Sequence, residues 1–347
     1  MKILYGVTGE GLGHAMRSRV MAAHLRERGH EVKLVASGRA CEYLRRYFED
    51  VQPIPGFSMA YVRNKMSRMR TLARLGRSAR PALRESIALY RRAISGFAPD
   101  ACISDFDSFS HVFGKLFDRP VISLDHQHVI DRCRHVPEVK QRLPRDFALT
   151  KAVVRAKLPG CRHYVVTSFY FPEPKRDRTT LVGPILRPEI LALAPTAGEH
   201  VLVYQTAIAT TELVEVLRAL PYPFVVYARD AEAGEVGNVS IRAFDEDRFL
   251  ADLAAARAVI CNGGYTLIAE ALYLGKPVLS VPLRHQGEQE LNAAYLAALG
   301  LGRALRRLDP AAIAAFVASA SPSHTPRIAC GNPRAFATID HLLEEIS

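Results

Sequence analysis

"NGGYTLIAEALYLGKPVLSVPLRHQGEQELNA" fills residues 262–293. The apolar run "AVIC" leads into it, a double glycine follows, and the next ten residues have helical spacing. Gly275, Lys276 and Pro277 then end the helix, and "VLSVP" reads as a second strand. A strand, a glycine turn, a helix and a further strand make one βαβ unit of a parallel sheet. At such a turn Gly263 and Gly264, with Tyr265 and Thr266 opening the helix, present backbone N–H groups that hold a phosphate without a metal. Glu270 lies about one turn further on, within reach of a ribose diol, where a carboxylate accepts two hydrogen bonds. The loop after the second strand brings Glu288, Gln289 and Asn292 to vicinal hydroxyls. Phosphate, ribose and sugar hydroxyls, in that order, describe a nucleotide sugar.

The same alternation runs outward in both directions. "KILYGV", "EVKLVAS", "DACISD" and "PVISLD" are near-continuous apolar runs separated by helical stretches, as in a parallel sheet covered on both faces. After about residue 195 the pattern resumes with "HVLVYQT", "PFVVYAR", "VSIRAF", "AVICN" and "PVLSVP". Between the two series "VGPILRPEILALAPTAGEH" carries Pro184, Pro188 and Pro195 and reads as a connection. Two α/β domains are therefore expected, 1–184 and 185–347. The helical tail, about 331–346, can end either domain, including by packing back on the first.

A chain of 347 residues with 49% hydrophobic residues suits two globular domains, each able to bury a core. No apolar run approaches eighteen residues, which excludes a membrane-spanning helix, and the start of the chain reads as a strand rather than a signal peptide. Six dispersed cysteines without a CxxC pair fit reduced thiols in a cytoplasm. The net charge of +11 is concentrated between residues 61 and 93, where ten Arg and Lys residues face one acid, Glu85. Aromatic residues are not interleaved as a single-strand-binding groove requires, so no nucleic-acid partner is expected. Met66, Met69, Leu72, Leu75 and Leu83 give the segment an amphipathic character. It suits peripheral contact with an anionic membrane, binding of an acceptor, or a solvated helical face.

The first strand runs into "GVTGEGLGHAMRS". Gly11 and Gly13 let the backbone approach a ligand at a helix start. The spacing is not GxGxxG, and Ser37 and Arg39 stand where a dinucleotide fold places its acid. An NADP site survives only through Arg39. His14 opens the helix, either as a base able to take a proton from a hydroxyl or as a polar residue near a cap. Asp105 ends a later strand and can orient such a base. Asp105 and Asp107 spell DxD, which can hold a metal but is common by chance. Asp125, His126 and His128 end another strand, where acceptor contacts or plain hydrogen bonding are expected before metal binding.

Taken together, the stretch 262–293 resembles the donor-binding signature of inverting GT-B glycosyltransferases. Its glycine pair, Glu270, Gly275 with Pro277, and Glu288, Gln289, Asn292 and Ala293 occur in that family's order. The loop with His14 resembles the acceptor-side loop of the same superfamily. The connection resembles that of the transferase that adds N-acetylglucosamine to the peptidoglycan lipid precursor. The resemblance implies two Rossmann-like domains facing across a cleft, the second binding a nucleotide-diphosphate sugar, with a UDP-sugar favoured. The first domain then binds a hydroxyl-bearing acceptor, which is a glycolipid, a polysaccharide or a small molecule, at Gly11, Gly13, Asp107, Asp125, His126 and His128. His14 becomes the base, oriented by Asp105. Arg187 aids the departing diphosphate, Thr206 contacts phosphate, and Phe244 lies near the nucleobase. No cofactor and no metal are implied. Cell-envelope synthesis in the cytoplasm, at the inner face of the membrane, is the setting it suggests. The rival readings are a nucleotide-sugar 2-epimerase, an NADP-dependent reductase and a non-catalytic nucleotide-binding or RNA-binding module.

Overall fold

After its first residue the run Lys2–Val7 is entirely buried, and it forms β1 at the centre of a sheet. Two-sided burial requires helices on both faces, and every pairing in this sheet is parallel. The structure is a computed structural model that describes residues 1–9, 11–55, 61–62, 65–66, 90, 94, 96–144, 146–206, 209–228, 232–321 and 325–346. Most of the basic segment 61–93 lies outside the described residues.

Around β1 are β2 (Glu31–Ala36) and β3 (Val51–Pro53) on one side. A small antiparallel pair, β4 (Tyr61–Val62) and β5 (Lys65–Met66), stands apart from the sheet. On the other side of β1 lie β6 (Ala101–Asp105), β7 (Val121–Asp125), β8 (His163–Thr167) and β9 (Thr179–Val182). The order is β3-β2-β1-β6-β7-β8-β9. The second sheet begins with β10 (Val201–Gln205), β11 (Phe224–Ala228), β12 (Gly234–Val236) and β13 (Val239–Ile241). It is completed by β14 (Ala258–Cys261), β15 (Val278–Ser280) and β16 (Arg303–Ala304), in the order β12-β13-β11-β10-β14-β15-β16. Only the β12 pairing is antiparallel. Both sheets are doubly wound. The strand order reverses between β1 and β6 in the first and between β10 and β14 in the second, and ligands of such sheets collect beyond the carboxyl ends at those points.

Within the two seven-stranded sheets, five strands have no counterpart among the apolar runs of the sequence: β3, β8, β9, β12 and β16. Three of them are edge strands of two or three residues, too short to show a period. β8 and β9 are longer but carry polar ends, His163 and the Thr179–Thr180 pair, that blur the apolar pattern.

Residues 183–200 cross from one sheet to the other, and the last helix, Asn332–Glu344, returns to the first. Its Ala335, Ile339, Leu342 and Leu343 join the core formed by β1, β2 and the helix Leu12–Glu27. The return is held by the Asn332 side chain, which accepts from the Leu186 N–H at 2.8 Å and donates to the Leu186 carbonyl at 2.8 Å. A larger core spans both sheets through Phe169, Tyr170, Tyr265 and Tyr295, with the Tyr170 and Tyr295 rings stacked 3.9 Å apart. Among the described residues no helix is long and apolar enough to cross a membrane, and all six cysteines are free.

The start of the returning helix leaves no room for a side chain. A Cβ on Gly331 would overlap the Gly183 carbonyl, and the Gly331 N–H donates to the Pro184 carbonyl at 2.8 Å. Gly331→Ala is expected to cost about 1–3 kcal/mol, as overpacking does. The denaturant midpoint checks this, and an unchanged midpoint would show that this contact does not hold the helix.

Candidate active site

The loops at the two reversal points face each other across a cleft of about 250 Å³. On the first side the helix Leu12–Glu27 begins at Gly11. On the second the helix Tyr265–Tyr273 begins at Gly264. The two helix starts touch, and a Cβ on Gly13 would overlap the Thr266 hydroxyl. Two sets of unpaired N–H groups and two positive dipole ends therefore converge on one space, a ready place for an anion.

His14, Arg17 and Ser18 share one face of the first helix, three and four residues apart, and all turn to Asp105 at the end of β6. The buried Asp105 carboxylate accepts from His14 Nδ1 at 2.7 Å, Arg17 Nε at 2.7 Å, Arg17 Nη2 at 2.5 Å and Ser18 Oγ at 2.8 Å. Burial opposes the Arg17 cation, but the Asp105 charge outweighs it and raises the Arg17 pKa. Arg17 Nη2 also lies 2.7 Å from His14 Nδ1, so the tautomer has to be settled by the other ring nitrogen. His14 Nε2 is 3.1 Å from Gln127 Nε2, which also donates to Glu288 Oε2 at 3.0 Å. Reversing the amide would set its oxygen against the Glu288 carboxylate, so the NH2 faces His14. Nε2 is then the acceptor and Nδ1 carries the proton to Asp105. The Arg17 contact is a crowding of two donors around one carboxylate oxygen. The result is an imidazole whose lone pair faces the cleft.

The second side supplies Gly264, Tyr265, Thr266, Glu270, Glu288 and Gln289 to the cleft walls, and Phe244, Thr206 and Arg187 line it as well. Several of these do something other than the sequence suggests. Glu288, Gln289 and Asn292 lie on the helix Gly287–Ala298, not in a loop, because Gln286 caps that helix by accepting from the Gln289 N–H at 2.7 Å. Glu288 and Gln289 sit in its first turn, and the Gln289 side-chain oxygen accepts from the Leu283 N–H at 3.0 Å. Asn292, one turn on, is fully buried. It donates to the Gly263 carbonyl at 3.0 Å and accepts from the Tyr170 hydroxyl at 3.0 Å, so it braces the glycine turn from behind the cleft wall. Arg187 is no free cation for a diphosphate. It pairs with Glu270 through Nε at 2.8 Å and Nη2 at 3.1 Å, and with Glu246 through Nη1 at 2.5 Å. Burial works against the Arg187 charge, and Glu270 outweighs it. Glu246 in turn accepts from Arg46 at 2.5 Å and from the Tyr43 hydroxyl at 3.3 Å, which ties the connection to both sheets.

Four residues expected on the acceptor side do not line the cleft. Asp107 caps the helix Ser108–Leu116, accepting from the Ser110 N–H and hydroxyl, both at 2.8 Å. Asp125 is buried and accepts from Ser123 Oγ at 2.5 Å, the His128 N–H at 2.9 Å and His128 Nδ1 at 2.7 Å. Burial would raise its pKa, but His128 outweighs that and holds it well below the usual carboxylate range. His126 is a pin between the sheets, stacked on Tyr265 at 4.0 Å and 2.7 Å from the Asn292 side-chain oxygen. His128 turns away from the cleft. In each case a short polar side chain beside a turn satisfies buried backbone or a neighbouring ring. Within the DxD pair, Asp105 takes His14, Arg17 and Ser18, and Asp107 Oδ2 takes both groups of Ser110. Among the described residues no group of three His, Cys, Asp or Glu side chains is arranged to hold a metal.

Sequence reasoning missed Gln127, Asn262, Tyr204 and Phe249, which line the cleft. Asn262 accepts from the Thr206 N–H at 3.1 Å, and its amide nitrogen is buried without a partner. Tyr204, Phe244 and Phe249 form an aromatic wall, with Phe244 half exposed. Arg17 and Ser18 were legible as polar positions three and four residues after His14. Gln127 carried no signal, because its role comes only from where the turn places it.

Asp105→Ala would leave the Arg17 guanidinium buried and unpaired. A loss of about 3–5 kcal/mol is expected from denaturant unfolding, partly recovered when Arg17→Met is added. A loss below 1 kcal/mol would show that Asp105 does not anchor this side of the cleft.

Comparison with known proteins agrees with this fold. The family model described as glycosyl transferase family 1 matches residues 1–321. An uncharacterized glycosyltransferase of Methanosarcina acetivorans is 25% identical over 332 residues, covering 89% of this chain and 87% of its own. Among solved structures, the glycotransferase of kitacinnamycin superposes with a TM-score of 0.66 at 20% identity, over 98% of both chains. Arabidopsis thaliana UGT89C1 complexed with UDP-L-rhamnose gives 0.68 at 15% identity, over 99% of this chain and 98% of its own. With two doubly wound sheets facing across a cleft and a family match over most of its length, this chain has the GT-B fold and is a glycosyltransferase of glycosyl transferase family 1.

Proposed function

We propose that this glycosyltransferase moves a sugar from a nucleotide-diphosphate donor, with UDP favoured, to an acceptor hydroxyl, with inversion and without a metal. The observation that carries the reading is the lone pair of His14 Nε2, held by Asp105 in the same cleft as the N-terminus of the helix Tyr265–Tyr273. A base and a phosphate-binding helix start in one cleft suit one in-line displacement. The acceptor oxygen loses its proton to His14 Nε2 and bonds to the anomeric carbon as the bond from that carbon to the diphosphate breaks. One displacement inverts the configuration.

The diphosphate sits on the N–H groups of Gly264–Thr266, with the Asn262 amide nitrogen as a further donor. Such preorganised donors stabilise the departing charge without a cation. The Tyr204, Phe244 and Phe249 wall takes the nucleobase, and Glu270, held rigid by Arg187, accepts from the ribose through its remaining lone pairs. Glu288, and Gln289 through its amide nitrogen, meet the sugar from the cleft wall. Gln127 caps the His14 lone pair until an acceptor hydroxyl replaces it. UDP is favoured because a structural neighbour is complexed with UDP-L-rhamnose. The acceptor is a glycolipid, a polysaccharide or a small molecule, and cell-envelope synthesis on the cytoplasmic side is the setting proposed.

His14→Ala is expected to lower kcat by roughly two to four orders of magnitude while leaving nucleotide binding intact. Near-normal turnover would remove His14 from the mechanism. Calorimetric titration with UDP, GDP and dTDP should give saturable binding of one of them that persists in EDTA and weakens in Glu270→Gln. Binding only when a divalent ion is present would overturn the metal-free reading.

A further inference from the structure

A second cavity, of about 280 Å³, lies behind the turn that carries Gln127, and it shares no wall residue with the central cleft. Arg132 and His128 form its buried floor, and Arg155, Arg176 and Arg178 stand at its more exposed rim. Asp131 is the one carboxylate among its walls. Arg155 reaches it through Nε at 3.1 Å and Nη2 at 3.0 Å, and Arg176 through Nη1 at 3.6 Å. Arg132 has neutral partners: its guanidinium lies 3.7 Å from the Tyr164 ring centroid and donates to the Thr179 hydroxyl at 2.7 Å and to the Asp177 carbonyl at 2.5 Å. Burial lowers the Arg132 pKa, and the Arg176 charge works in the same direction. Arg178 forms no ion pair among the described residues. Among the described residues, four guanidinium groups thus share one carboxylate in the cavity wall, with Asp125 held behind it by His128.

His128 adds an independent observation. Its Nδ1 is taken by Asp125 at 2.7 Å, while its Nε2 is buried and has no hydrogen-bond partner. With Nδ1 donating to Asp125, the lone pair at Nε2 marks where a hydroxyl of a bound molecule, or its water, donates.

We propose that this cavity binds the phosphate of a small phosphorylated molecule, a phosphomonoester or a diphosphate. Guanidinium forks match phosphate oxygens two at a time, and several forks around one space suit a dianion better than a lone carboxylate. The volume admits more than a bare ion and excludes a nucleic-acid strand. The site backs onto the active site through three consecutive side chains. His126 faces Asn292 and Tyr265, Gln127 faces His14 and Glu288, and His128 faces the arginines.

The test is calorimetric titration of the full chain with pyrophosphate, in the native protein and in Arg176→Ser/Arg178→Ser, whose changes fall at the rim. Saturable binding that weakens at least tenfold in the variant, with nucleoside diphosphate affinity unchanged, is the expected result. Pyrophosphate binding that the variant leaves intact would place it elsewhere and overturn the proposal, as would no saturation at millimolar pyrophosphate. Because nucleoside diphosphate binding is read separately, failure here is distinguishable from failure of the proposed donor site.

Discussion

Asp105 is one buried carboxylate with four donors on it, and the catalytic side of the molecule is organised around it. It stands at the carboxyl end of β6, beside the central strand β1, so the helix that follows β1 must present its polar face there. His14, Arg17 and Ser18 are that face. Arg17 meets the acid through two nitrogens, and the remaining capacity of the carboxylate receives the imidazole Nδ1 proton on the far side from the cleft. A buried charge of this kind is costly unless every lone pair is met, and here they are met by one helix turn.

The two sheets are held at their cleft by polar and aromatic contacts of different kinds. His126 stacks on Tyr265 and meets Asn292, Tyr170 stacks on Tyr295, and the Thr167 hydroxyl lies 2.6 Å from the Tyr265 hydroxyl. Arg187 and Glu246 form a charged strap across the opposite end. Residue types that suit a substrate contact are used for this join. Asn292 and His126 are the clearest cases, since a short amide or imidazole at a domain boundary has as many buried carbonyls to satisfy as it has substrate atoms to find.

The turn 125–128 shows how closely such roles are interleaved. Asp125 folds the turn by accepting from the His128 N–H, and the next three side chains then leave in three directions. One pins the domains, one caps the base and one faces a basic cavity. Neighbours in sequence are separated by environment, so residue type alone says little about which of them meets a ligand.

From the sequence alone came the two-domain α/β architecture, the glycine turn with its helix at 263–273, and the pairing of a helix-opening His14 with a strand-ending Asp105. These are local patterns: apolar runs of strand length, glycines where backbone must come close, and acids at strand ends. Tertiary structure alone decided which polar residues face the cleft. It sent Asp107, Asp125, His126, His128 and Asn292 inward and brought in Gln127, Asn262 and Tyr204. The reason is that a buried hydrogen-bond inventory must close over the whole molecule, and its partners are up to 166 residues apart, as His126 and Asn292 are.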